Sequence, residues 1–172
     1  MTKDKIFIIS ALILLVSCSN EPKTTFMSPV ENPFNAQFML PDTQGNLVDM
    51  SAFYGKYVLV NFWATWCKPC VKELPSLDRL EKKVNNMNKF SVIGVHVGQN
   101  PDIVNKFLKK NKVSFTNVID EDITLSNWMV EAIPTTFLVN QEGIAIYYAL
   151  GKREWDDAEF IKFINSIIES EK

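Results

Sequence analysis

Chemistry in this 172-residue chain concentrates at Trp66-Cys67-Lys68-Pro69-Cys70. The segment follows the apolar run Tyr57–Trp63 and opens a stretch in which Val71, Leu74, Leu77, Leu80 and Val84 take helical spacing. A cysteine at a helix start faces free backbone amides and the positive end of the helix dipole. Both favour the thiolate, the attacking species in disulfide exchange. Two intervening residues place Cys70 one turn along, within reach of the Cys67 sulfur. Cys67 is expected to be exposed and nucleophilic, and Cys70 to be buried beneath it and to resolve a mixed disulfide. Pro69 restricts the loop and keeps the pair close. Glu73 falls one turn past Cys70 on a similar helix face. There, burial would raise its pKa and let it pass a proton to or from Cys70. Lys68 can favour the Cys67 thiolate by its charge, or be a solvated lysine with little effect. A zinc site would need two further ligands, and the chain has one histidine, His96, so no metal is expected. His96 lies in an apolar strand and reads as a satisfied core histidine.

The elements around this segment read as an α/β domain with a mixed central sheet flanked by helices. Residues 38–40 and 47–50 form a hairpin about the Pro41–Gly45 turn, and residues 51–55 a single helical turn. Tyr57–Trp63 and Phe90–Val97 are strands without polar alternation, as expected when both faces are covered. Pro101 starts a second helix. Residues 115–119 form a strand, 123–130 a short helix, 136–139 and 144–148 a hairpin, and 155–170 a final helix. Its stripe of Phe160, Phe163, Ile164, Ile167 and Ile168 reads as core. The lysine-rich residues 106–112 read as a solvated helix face. Trp63 and Trp66 read as core and active-site wall. Neither arginine, Arg79 or Arg153, stands near the cysteines in sequence.

Composition sets outer bounds. Hydrophobic residues make up 47% and charged residues 22%, enough apolar surface to fold and too much for a disordered chain. A net charge of -2 gives no basic field for nucleic acid. The N-terminus is a short basic start followed by an 11-residue apolar run, residues 6–16, too short to span a bilayer at roughly 20 residues. The run ends in Leu15-Val16-Ser17-Cys18, which resembles the bacterial lipobox. That resemblance implies removal of residues 1–17 and a lipid on Cys18. Removing Lys3, Lys5 and Asp4 leaves 16 basic and 19 acidic residues, near -3. Residues 18–35, with Pro22, Pro29 and Pro33, read as a flexible tether to a domain at 36–172.

Asn61-Phe62-Trp63-Ala64-Thr65-Trp66-Cys67-Lys68-Pro69-Cys70 resembles the thioredoxin active-site segment. Pro75 falls where that family kinks its active-site helix. Ile133-Pro134-Thr135-Thr136-Phe137 resembles its cis-proline loop, and Gly151 the glycine after its final strand. An extra N-terminal hairpin, a central helix–strand insertion at residues 101–119, and Glu73 make the resemblance closest to extracytoplasmic proteins of the TlpA/ResA/CcmG type. The resemblance implies a thioredoxin fold and a redox-active Cys67–Cys70 disulfide with no separate cofactor. It also implies a substrate surface at Trp66, Lys68, Pro69, Ile133 and Pro134. Asn61 replaces the buried acid of cytosolic thioredoxin and cannot exchange a proton, which leaves Glu73 as the proton-handling candidate.

The implied activity is thiol–disulfide exchange by a lipid-anchored monomer in the cell envelope, outside the cytoplasm. Its substrates would be extracytoplasmic disulfide-containing proteins, with apocytochrome c as a candidate. A membrane thiol donor would recharge it as a reductase. A disulfide-forming oxidase, a thiol peroxidase and a non-catalytic metallochaperone or binding module are the competing readings.

Overall fold

The computed structural model describes residues 26–84, 88–98, 100–122 and 128–170. In chain order its elements are β1 (Ser28–Asn35), β2 (Met39–Pro41), β3 (Leu47–Asp49), a 3-10 turn (Met50–Phe53), β4 (Tyr57–Trp63), α1 (Lys68–Val84), β5 (Phe90–Val97), α2 (Pro101–Asn111), β6 (Thr116–Asp120), β7 (Thr135–Val139), β8 (Ile144–Leu150) and α3 (Ala158–Glu169). Six strands form one sheet in the order β1-β8-β7-β4-β5-β6, and β2 pairs with β3 apart from it. β4, β5 and β6 run parallel, while β7 and β8 return antiparallel, so the sheet is mixed as expected. β4 is buried at every position because helices cover one face and the hairpin side covers the other.

Each face has its own core. On one, α1 contributes Leu74, Leu77 and Leu80, α2 contributes Val104 and Leu108, and α3 contributes Phe160, Phe163, Ile164, Ile167 and Ile168. On the other, Phe38, Leu40 and Met50 pack with Trp128, whose ring meets Phe34, Phe62 and Phe137 edge-on. The helices begin where side chains can take up free amides. Asn100 accepts from the Ile103 N–H at 3.1 Å, and Asp157 from the Glu159 N–H at 2.8 Å.

Two expectations need correction. Residues 28–35 are not tether but strand β1, antiparallel to β8 at the sheet's edge, so the domain begins before residue 36. Its prolines are tolerated because an edge strand has one neighbour, and the pairing shifts register between Pro29 and Phe34. Trp155 precedes α3 rather than opening it; Asp157 is the cap. Of the expected helix at 123–130, residues 123–127 lie outside the described residues, as do residues 1–17 and Cys18. No helix among the described residues is long and apolar enough to cross a membrane.

β5 carries the tightest approach in the sheet. The indole N–H of Trp63 donates to Asn117 Oδ1 at 2.9 Å, directly over Gly94. A Cβ at Gly94 would sit 2.3 Å from that oxygen and 2.9 Å from the indole nitrogen. Gly94→Ala therefore breaks this bond or displaces β6. It should cost about 1–3 kcal/mol, read as a lower urea midpoint. An unchanged midpoint would contradict the close packing.

Candidate active site

The end of β4 delivers the cysteines to the start of α1. Ala64 and Cys67 close a four-residue turn, the Cys67 N–H donating to the Ala64 carbonyl at 3.1 Å. Cys67 and Cys70 form a disulfide with S–S 2.05 Å and Cα–Cα 5.3 Å. The Cys70 N–H points at Cys67 Sγ at 3.3 Å, an amide of the helix's first turn aimed at the sulfur that would carry the thiolate. The expected contrast in exposure between the two cysteines is not found. Cys67 is 6% exposed and Cys70 fully buried. The Ile133 carbonyl lies 3.8 Å from Cys67 Sγ and covers it. Around this sulfur Trp66 is 71% exposed, and Lys68 and Pro69 are exposed as well. Trp66 thus forms a rim, whereas Trp63 is core.

The Ile133–Pro134 peptide is cis. The loop is held at both ends: the Thr135 hydroxyl donates to the Ala132 carbonyl at 2.6 Å, and the Gly151 N–H donates to the Pro134 carbonyl at 2.9 Å. Gly151 adopts φ +77°, left-handed backbone that favours glycine. That turn sends the chain from β8 back towards α1.

Glu73 is fully buried. Its Oε1 accepts from Asn61 Nδ2 at 2.8 Å. Its Oε2 accepts from the Arg153 backbone N–H at 3.0 Å and from Trp155 Nε1 at 3.1 Å. Burial pushes the Glu73 carboxyl above its ordinary value, and these donors with the Arg153 charge only partly oppose it. Asn61 is the hydrogen-bonded core amide the sequence suggests, donating also to Thr136 Oγ1 at 2.8 Å, while its buried Oδ1 has no partner. The sequence reading missed Arg153, Trp155 and Thr136. Arg153 stands far from the cysteines in sequence, yet its backbone reaches Glu73. Tryptophan so near the chain's end was the one available hint, since a buried indole N–H needs an acceptor.

Among the described residues, no group of three or more His, Cys, Asp or Glu could hold a metal ion. The arrangement is a helix-start disulfide, a covering cis-proline loop and a buried carboxyl one turn away. The model of the AhpC/TSA family matches residues 32–148. The thiol-disulfide oxidoreductase ResA of Bacillus subtilis is 33% identical over 156 residues, covering 87% of this chain and 87% of ResA.

The chain belongs to the ResA-type thiol–disulfide oxidoreductases of the AhpC/TSA family.

Solved structures agree on the fold. A DsbE-like thiol:disulfide interchange protein from Chlorobium tepidum superposes with TM-score 0.68 at 28% identity, covering 77% of this chain and 93% of that one. StoA from Bacillus subtilis gives 0.63 at 25% identity, covering 76% and 97%. In this ResA-type protein the Cys67–Cys70 pair is a disulfide at the start of α1.

Glu73 yields a prediction with a definite sign. Its folded pKa exceeds the unfolded value, so the folded protein holds an extra proton between the two. Its contribution is therefore full below about 4.5 and is lost as pH rises through the folded pKa. Glu73→Gln should remove that decline from the stability profile. It should also flatten an inflection in the pH–rate profile of disulfide exchange between about pH 5 and 9. Profiles identical to wild type would eliminate the proton role.

Proposed function

We propose that this oxidoreductase works as a reductase, anchored by lipid at Cys18, with its domain outside the cytoplasm. The observation that carries the direction is Glu73, buried one helical turn from Cys70. A buried carboxylate there opposes a thiolate on Cys70, and a protonated one gives it no positive partner. A strong oxidant, by contrast, stabilises its reduced form, chiefly as thiolate. The Glu73 carboxyl adds no such stabilisation to the reduced pair, which favours electron release.

The reaction balances in two exchanges. The Cys67 thiolate attacks a substrate disulfide, forming a mixed disulfide and releasing one substrate thiolate. Cys70, its proton passed to Glu73, attacks Cys67 Sγ. The substrate leaves with its second sulfur reduced, and the protein keeps the Cys67–Cys70 disulfide. Two electrons have moved, and a membrane thiol donor restores the dithiol. The pair itself holds the electrons, so no separate cofactor enters.

The substrate is an extended segment of a disulfide-containing extracytoplasmic protein, with apocytochrome c a candidate from the resemblance. It lies across Trp66, Lys68 and Pro69 and along the backbone of Ile133 and Pro134. The protein acts as a monomer. The lipobox-like Leu15-Val16-Ser17-Cys18 after a short apolar run supports the anchor and the address.

An oxidase would use the same residues in reverse, and 30 mV, about 1.4 kcal/mol, shifts the balance substantially. Equilibration of the purified chain with thiol buffers at neutral pH should give a potential near or below about -240 mV. A value above about -180 mV would reverse the proposed flow. A pair that does not cycle would remove the catalytic reading altogether.

A further inference from the structure

His96 does more than fill the core. It is the penultimate residue of β5, beside the active-site turn, in register with Trp63 on β4 and Ile119 on β6, and is 2% exposed. Its Nε2 accepts the Thr65 backbone N–H at 3.1 Å. Thr65 is the second residue of the Ala64–Cys67 turn, and that turn's closing bond is the Cys67 N–H itself. Thus one imidazole nitrogen on β5 fixes an amide two residues before the nucleophile. The ring is itself fixed. It stands edge-on to Trp63, with centroids 5.0 Å apart and planes at 88°, and Trp63 is tied to Asn117 and packed by Phe107 from α2.

We propose that His96 is a positioning residue for disulfide exchange: its Nε2 holds the Thr65 amide and so sets the turn that presents Cys67 to substrate. This rests on the exchange activity of the Cys67–Cys70 pair.

Chemistry agrees with the geometry. A nitrogen that accepts from an amide carries no proton, so the ring is neutral with its hydrogen on Nδ1. Nδ1 has no partner in ordinary hydrogen-bond geometry. Burial disfavours the imidazolium, and the Gly98 backbone offsets this only in part, so the acceptor is preserved. Around the ring stand Trp63 of β4, Thr65 of the turn and Ile119 of β6. Placement matters because exchange needs the attacking sulfur aligned with the bond it breaks, and misplacement by about 1 Å costs up to about a hundredfold in rate.

Two substitutions separate acceptance from packing. His96→Gln keeps an acceptor at similar reach and loses the ring. His96→Phe keeps a ring and loses the acceptor. The proposal expects His96→Gln to exchange with a model disulfide peptide within about twofold of wild type, and His96→Phe to be about tenfold slower. In the same samples, amide hydrogen exchange at Thr65 should accelerate at least about tenfold in His96→Phe, with the β4 amides still protected. The reverse order of the variants, or equal rates in both, overturns the proposal.

If His96→Phe does not fold, Thr65→Pro supplies the second route. It deletes the donor at a turn position that proline favours. Paired with His96→Leu, it makes a double-mutant cycle. The proposal expects His96→Leu to slow exchange in the Thr65 protein and to have no further effect in the Thr65→Pro protein. Equal losses in both backgrounds overturn it. An inactive wild-type chain would instead overturn the exchange activity itself, leaving the Thr65 amide readout to judge His96.

Discussion

A carboxyl group cut off from water must be held by donors or keep its proton, and Glu73 sets the terms for much of this structure. Its donors come from two directions: Asn61 from the middle of β4, and Arg153 and Trp155 from the segment after β8. Each carbonyl-like oxygen is therefore occupied, yet burial still outweighs them and raises the pKa. The group lies out of contact with bulk solvent, one helical turn from Cys70. That property suits a dithiol whose second sulfur must shed a proton before it can resolve a mixed disulfide.

Holding such a group requires α1 and the 151–157 segment to be locked together, and they are joined at successive turns of the helix. Glu73 takes the Arg153 and Trp155 N–H groups. Ser76 Oγ accepts the Trp155 backbone N–H at 3.1 Å while donating to the Glu73 carbonyl at 2.7 Å. Further along, Asp156 receives two bonds from Arg79 and one from Lys83. The Arg79 guanidinium holds the Asp156 carboxyl down to about 2, with Lys83 assisting. On the other side of the cysteines, the sheet order places β4 between β5 and β7. β7 therefore supplies Thr136 to Asn61, and β5 supplies His96 to Thr65. The disulfide, the buried Glu73 carboxyl and the turn are thus held from β4, its neighbouring strands and the segment after β8.

What the sequence made legible was local. β4 and β5 were readable because unbroken β-branched and aromatic runs have no other way to bury both faces. The helix-start placement of Cys67 and Cys70 followed from the change of period at Lys68. β1 was hidden because Pro29 and Pro33 mark a tether everywhere except at a sheet edge. The burial of Cys67 was hidden because its cover, Ile133, comes from a loop far along the chain. Arg153 and Trp155 were hidden for the same reason: their bonds to Glu73 span 80 and 82 residues and leave no spacing signature. Burial of Glu73 could be argued from helix position, but the donors that hold it could not.

The most direct test is the ionisation of Glu73 itself. The side-chain carboxyl carbon of Glu73, labelled with carbon-13, can be followed by NMR through a pH titration of the oxidised protein. The expected result is a transition above 4.5, the ordinary value for a glutamic acid, and a further change when the pair is reduced. A transition at or below 4.5 would mean that the donors overcome burial, and Glu73 would then be a fixed anion with no proton to exchange.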